Sequence, residues 1–342
     1  MWHHRRMVSV PVIALTGHLG AGKTTLLNHV LQTPGARIGA IVNDFGDVNV
    51  DAALVSGQID EPASIAGGCI CCLPDDGELD AALAKLADPK LRLDAIVIEA
   101  SGVADPAAIA RIIGFSEIAG VRDGGVVDVV DAARHFDTVD RGGPAPARYG
   151  AATLVVVNKL DQIAPEDRED TVRRIESRVR ERNSRAQVIG VVDGRIDPAM
   201  LYDVAAATDE AGQLSFRDAL VTAPPDTHTH ADAVTVASAG AVDPDALLDL
   251  LENPPAGVYR MKGMLAVRQR TSVRTVVVNV VGPSIHIARG APPPGSTHCL
   301  VAIGMHLDFD AVRRRIADGL RPADRPVSAA GVRRLWRYAS RG

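Results

Sequence analysis

The sequence predicts a mostly parallel, doubly wound α/β sheet followed by a smaller α+β unit. Three observations carry that expectation. Six short apolar runs between residues 8 and 192 alternate with patterns of helical period, which is how strands and covering helices of a parallel sheet are written. A glycine-rich turn separates the first run from the first helical pattern, the position where such a sheet presents its ligand edge. After Leu220 the texture changes to a Pro-rich stretch and then to runs of strands with few helices. At 342 residues, 46% of them hydrophobic, the chain can bury a sizeable core and is long enough for two domains.

In order, the strand-like runs are VSVPVIALT (8–16), RIGAIVN (37–43), LDAIVIEA (93–100), GVVDVVDA (125–132), ATLVVVN (152–158) and AQVIGVV (186–192). They are rich in β-branched residues and bounded by glycine or polar residues, as strands buried on both faces are. LLNHVLQ after the first run and LDAALAKLA before the third read as helices. The stretch APEDREDTVRRIESRVRERNSR (164–185) is the clearest helix, with acids crowding its first turns and arginines its last, in accord with the helix dipole. Its charges read as a solvated face rather than a basic patch for RNA. VTAPPDTHTHAD (221–232) reads as a linker. The expected units are therefore residues 1–222 and 231–342, with few contacts crossing between them. In the second unit AVTVASAGAV, GMLAVR, TVVVNVV and CLVAIG are strand-like, while DPDALLDLLEN and FDAVRRRIADGL are helical.

Composition narrows the function classes. A net charge of −5 argues against general nucleic-acid affinity, which needs a surplus of Lys and Arg. The opening MWHHRRM is followed by an apolar run too short for a signal sequence or a membrane span, so a soluble, cytoplasmic protein without a membrane partner is expected. Four cysteines, three of them within four positions, do not form a disulfide framework.

The glycine-rich turn, TGHLGAGKTT, contains G-x-x-x-x-G-K-T from Gly17 to Thr24, placed between a strand and a helix. This is the pattern of a P-loop NTPase. Gly17, Gly20 and Gly22 let backbone N–H groups curl around phosphate oxygens, Lys23 supplies a cation to the β and γ phosphates, Thr24 offers a hydroxyl to Mg²⁺, and Thr25 completes the loop. NKLD follows the fifth run. Asp161 can accept two hydrogen bonds from guanine, which adenine does not reciprocate, while Asn158 and the Lys159 stem frame the ring, so GTP is favoured over ATP. Two acidic loops lie between these motifs. NDFGDVNVD offers Asp44 or Asp47 to Mg²⁺, directly or through water, and in EASG Glu99 can orient an attacking water. The competing reading of each acid, with the smaller weight, is a helix cap. Lys23, Glu99 and Asp44 are the residues expected to serve hydrolysis.

The segment GGCICCL (67–73) carries Cys69, Cys71 and Cys72. Three thiolates form a soft donor set suited to Zn²⁺, which ordinarily takes four ligands, so the segment alone leaves the site incomplete. An incomplete site suits delivery better than permanent structural binding. Thiol redox chemistry and inert packing are the competing readings. Vicinal Cys71 and Cys72 would form a strained disulfide, which disfavours a structural bridge. His228 and His230 read first as solvated linker residues, with metal binding as the alternative, and Cys299, beside His298 at an apolar strand, reads as core.

GHLGAGKTT, NDFG, GGCICC, IEASGVADP and NKLD occur in the order and approximate spacing of the CobW-type metallochaperone GTPases. GVYRMKGML resembles the start of that family's C-terminal domain. The resemblance covers nearly the whole chain, and it implies a nucleotide-gated carrier of a divalent metal, zinc or cobalt. On that reading slow GTP hydrolysis times metal release to a client metalloprotein engaged by the C-terminal domain. The alternative is a regulatory zinc- or redox-sensing GTPase acting on translation or stress machinery, and a third reading is a zinc store without turnover. The chain departs from the family pattern at Asp44, where a glutamate is usual, and at LPDDGEL, where a Thr-x-Arg stretch is common. The final 32 residues hold nine arginines against two aspartates, either a docking surface or an arginine-rich exterior. Client, physiological metal and oligomeric state are not written in these patterns.

Overall fold

The computed structural model describes residues 9–33, 36–43, 63–65, 77–101, 105–115, 118–202, 231–290, 298–323 and 327–339. The first unit is a seven-stranded sheet in the order β3-β2-β4-β1-β5-β6-β7. Its strands are β1 (Val10–Gly17), β2 (Ile38–Asn43), β3 (Ala63–Ile65), β4 (Ala95–Glu99), β5 (Val121–Asp131), β6 (Leu154–Asn158) and β7 (Gln187–Gly190). Every neighbouring pair runs parallel. The β4 and β6 strands are buried at all five positions, which is why their sequences show continuous apolar runs rather than alternation. The helices are α1 (Lys23–Leu31), α2 (Gly77–Leu86), α3 (Pro106–Phe115), the single turn α4 (His135–Thr138) and α5 (Arg168–Arg180).

The expected polar face of α5 is present. Only Ile175 and Val179 are buried, and Arg173 and Arg180 pair with Asp170 and Glu176 of the same helix. Arg178 differs, because it reaches off the helix to the carboxylate of Asp140 at 2.7 Å and ties α5 to the loop after α4.

The second unit is a five-stranded antiparallel sheet in the order β11-β10-β9-β12-β8. Its strands are β8 (Asp232–Ala237), β9 (Val258–Arg268), β10 (Val273–Val281), β11 (Ser284–Arg289) and β12 (Cys299–Gly304). Helices α6 (Pro244–Glu252), α7 (Phe309–Gly319) and α8 (Ala329–Leu335) accompany the sheet. Each of these helices begins on a side-chain cap: Asp243, Asp308 and Ser328 accept from backbone N–H groups one turn on. Cys299 is half-buried rather than core. Alternation along β12 sends Leu300 and Ala302 into the core shared with α6 and α7 and leaves Cys299 on the other face.

The expectation that few contacts cross between the units is not met. Ala231, Tyr259, Val281, Ile303 and Met305 of the second unit share one buried cluster with Leu15, Leu26, Val127, Met200, Leu201 and Tyr202 of the first. Polar bonds line the same boundary. The Thr153 hydroxyl lies 3.2 Å from that of Tyr259, and Ser284 donates to Asp123 at 2.6 Å. Gly125, in the bulge of β5, has φ +93, and a Cβ there would lie 2.5 Å from Thr153 Oγ1 and 3.0 Å from Val281. Only glycine fits both the backbone conformation and this approach. Among the described residues no helix is long and apolar enough to cross a membrane.

Candidate nucleotide-binding site

The sheet reverses its winding at β1, which lies between β4 and β5. A crevice forms at the carboxyl edge of such a switch point, and the sequence places its glycine-rich loop there, between β1 and α1. Gly22 precedes α1 with φ +102, and a Cβ at that position would lie 2.3 Å from Asn158 Nδ2. The absence of a side chain lets α1 start directly against β6. Lys23 is 7% exposed and donates from Nζ to the Gly17 carbonyl at 3.1 Å, so the ammonium is folded back over its own loop. Thr24 donates its hydroxyl to Glu99 Oε1 at 2.9 Å. Glu99 ends β4, opposite Leu15 in register, and is 2% exposed. The fold thus joins the loop hydroxyl to the carboxylate of EASG, across 75 residues of chain. Gly20 and Thr25 are exposed.

The NKLD residues take three different places. Asn158 is buried, donating from Nδ2 to the Ala21 carbonyl at 3.1 Å and accepting at Oδ1 from Gly194 N at 2.9 Å. It therefore staples the phosphate loop to the segment after β7. Lys159 has φ +63 and its Nζ meets Asp131 at 2.8 Å, which extends the side chain across the end of β5. Asp161, in a short 3₁₀ turn (Leu160–Gln162), is exposed. Glycine loop, β4 carboxylate and NKLD all lie along one edge of the sheet, as their order in the sequence requires.

Asp44, Asp47, Cys69, Cys71, Cys72, His228 and His230 lie outside the described residues. Among the described residues, no group of three or more His, Cys, Asp or Glu side chains is arranged to hold a metal ion. Thr24 and Glu99 present hard oxygen atoms to one another at the loop, the donor type that Mg²⁺ takes.

Sequence reasoning missed the polar layer beneath the loop. Asp128 on β5 is wholly buried and paired with Arg148 at 2.6 Å. Next to it His135 is 1% exposed and shares a 2.6 Å hydrogen bond with Tyr149. Burial lowers the His135 pKa from 6.5 to about 4, against the opposing pull of Asp140 and Asp128. A charge inside the valine run GVVDVVDA was the available signal. A shallow cleft lined by His18, Leu19, Asp131, Arg134, His135 and Arg148 opens beside this layer.

Two family models account for most of the chain. The CobW/HypB/UreG nucleotide-binding domain matches residues 11–190, and the cobalamin synthesis protein cobW C-terminal domain matches residues 231–320. The chain belongs to the CobW family. A zinc chaperone CobW of Sinorhizobium sp. is 31% identical to this CobW-family chain over 348 aligned positions, covering 90% of this chain and 96% of that protein. The zinc chaperone YjiA of Escherichia coli K12 is 34% identical over 204 positions, covering 58% of this chain and 62% of that one. The crystal structure of Zn(II)-bound YjiA GTPase from E. coli aligns over 92% of this chain and 99% of its own at 24% identity, with a TM-score of 0.42.

Proposed function

We propose that this CobW-family protein is a GTP-hydrolysing metallochaperone that carries a divalent metal, zinc as first candidate and cobalt as second, on Cys69, Cys71 and Cys72 and passes it to a client metalloprotein. The observation that carries the reading is the assembly at one sheet edge of the Gly17–Thr24 loop, Glu99 and the NKLD segment. Two relatives named zinc chaperones support the choice of cargo. Residues 1–222 form the nucleotide unit and residues 231–342 the unit that engages the client.

In this reading Lys23 leaves the Gly17 carbonyl for the phosphate oxygens, a move that exchanges a neutral acceptor for a charged one. Asp161 reads the guanine edge, and Asn158 and Lys159 hold the surrounding backbone. Mg²⁺ would be held by the Thr24 hydroxyl with Glu99 close by, and when bound it supplies charge neutralisation on the phosphates. Glu99, already fixed by Thr24, orients water toward the γ-phosphate. Asp44, next in sequence after β2, serves the same centre.

Metal carriage requires that the nucleotide state change the cysteine site. The cysteines fall in sequence between Asp44 and Glu99, so contacts of those two residues with the GTP centre should draw the thiolates together. Reciprocity then fixes the expectation: zinc tightens the GTP state by the factor by which GTP tightens zinc, about 5- to 150-fold in coupled systems. The test is zinc affinity by chelator competition, in GDP and in a non-hydrolysable GTP analogue. Equal affinities in the two states, or full affinity after all three cysteines become serine, would overturn the carrier mechanism and leave the regulatory GTPase.

A further inference from the structure

The buried pair Asp128–Arg148 is not used by the nucleotide reading, yet it is bonded directly to the strand that delivers the phosphate loop. Asp128 is 0% exposed. Arg148 clasps it with two parallel bonds, Nε to Oδ2 at 2.9 Å and Nη2 to Oδ1 at 2.6 Å. The Thr16 hydroxyl donates to the same Oδ1 at 2.9 Å, and Thr16 stands opposite Asp128 in the β1–β5 register. Thr16 is the residue before Gly17, whose carbonyl receives the Lys23 ammonium at 3.1 Å. A continuous path therefore runs from Arg148 through Asp128 and Thr16 to the first glycine of the loop and its lysine.

The setting makes the pair costly. The residues flanking Asp128 on β5, Val126, Val127, Val129 and Val130, are all buried and apolar. A further aliphatic residue there would join β1 to β5 without desolvating any charge, and such replacements often stabilise a fold. What an aliphatic residue cannot do is fix the Thr16 hydroxyl in direction. Arg148 is itself anchored from below: it lies in the 3₁₀ turn Ala147–Gly150, next to Tyr149, which is fully buried and bonded to His135. Arg148 also lines the cleft that His18 and Leu19 of the phosphate loop border.

We propose that Arg148, acting through Asp128 and Thr16, is a positioning residue for the phosphate loop. Without Arg148 the carboxylate loses its cation inside a valine layer and must take up a proton or water. Thr16 then loses a charged acceptor, and Gly17 its fixed placement. The phosphate contacts suffer, while the guanine contact does not, because Asp161 is carried by the separate strand β6.

The inference rests on the GTP reading, and its test separates the two. Affinities of the full-length protein for GDP, IDP and ADP are measured with Arg148→Met, Arg148→Lys and the double change Asp128→Leu with Arg148→Met. IDP lacks the exocyclic amine that Asp161 would accept from, so the GDP-to-IDP ratio reports the base site alone. Arg148→Met should weaken GDP roughly 10- to 100-fold, the scale on which small misplacements act, with the GDP-to-IDP ratio unchanged. Arg148→Lys should recover part of that loss. The double change removes the buried charge and should restore stability but not GDP affinity, which keeps the test intact if Arg148→Met alone fails to fold. Undiminished GDP affinity in either Arg148→Met protein would overturn the positioning role, as would a GDP-to-IDP ratio that collapses in step with affinity. If the unaltered protein binds GDP no better than ADP, the guanine reading itself fails and takes this inference with it.

Discussion

Replacing Asn158 with alanine tests how the base motif is built. Its two side-chain bonds, to the Ala21 carbonyl at 3.1 Å and from Gly194 N at 2.9 Å, are both buried, and the residue is 2% exposed. Each bond contributes about 1 kcal/mol net, and a buried N–H or C=O left without a partner costs about 1–3 kcal/mol more. Some of that cost is recovered if water enters the space, so the loss should be about 2–4 kcal/mol. For units of this size roughly 2–4 °C of melting temperature accompany each kcal/mol, giving a drop of about 5–15 °C in protein free of nucleotide. The assay is thermal and chemical denaturation without nucleotide, followed by GDP titration under conditions where the variant is folded. Asp161→Asn is the control: that carboxylate is exposed, so stability should stay within about 0.5 kcal/mol while guanine selectivity falls. Unchanged stability of Asn158→Ala without nucleotide would refute the staple and return Asn158 to a role on the base.

Two further outcomes follow from buried groups. Thr153 accepts from Val126 N at 3.0 Å, donates to Val126 O at 3.0 Å and lies 3.2 Å from Tyr259 Oη, so Thr153→Val should cost about 2–3 kcal/mol by urea denaturation and Thr153→Ser much less. His135 is held neutral by burial, with its pKa lowered to about 4. Its stabilising contribution is complete above about pH 6.5 and is lost as pH falls from there toward 4, because only the unfolded chain then takes up the proton. A stability difference of order 1–3 kcal/mol between pH 7 and pH 5 that shrinks in His135→Gln is the expected result.

Apart from the three-residue β3, which no run announces, the first sheet was legible because its strands are covered on both faces. Burial on both faces writes an uninterrupted apolar run, and runs such as ATLVVVN can be found without knowing their partners. The second sheet was legible only in part. β11, SIHIAR, is mostly half-buried, and one histidine, one arginine and a serine among its six residues erase the pattern. Helix α8 has seven residues, too few for a period to show. The phosphate loop and NKLD were legible as local strings, whereas the Thr24–Glu99 bond depends on β4 lying beside β1, which no string states. The Asp128–Arg148 pair was hidden for the same reason: a lone aspartate among valines announces a problem, but its solution lies in a turn 20 residues away.

The linker announced a boundary, and composition alone gave no means of weighing what packs across it. The segment after β7 decides the matter. Gly194 is bonded to Asn158 in the base motif, and Ile196 O lies 3.2 Å from His29 of α1. Three residues on, the Ala199 carbonyl accepts from Arg260 of β9 at 3.1 Å, and Asp197 accepts from Ala231 N at 2.8 Å. Met200, Leu201 and Tyr202, each at most 3% exposed, then enter the cluster that holds Tyr259, Ile303 and Met305. One short segment thus faces the nucleotide motifs on one side and the second unit on the other. Ending the chain at residue 222 would uncover that apolar row and leave Asp197 without one of its donors. At roughly 1.5–3 kcal/mol for each large apolar side chain exposed, the loss is comparable to the whole stability of an ordinary domain. The isolated first unit should therefore melt well below the full chain and bind an apolar dye, and added nucleotide should recover only part of the difference. Coincident melting of the truncated and full-length proteins would show that the shared cluster contributes nothing, and the two units would then be independent after all.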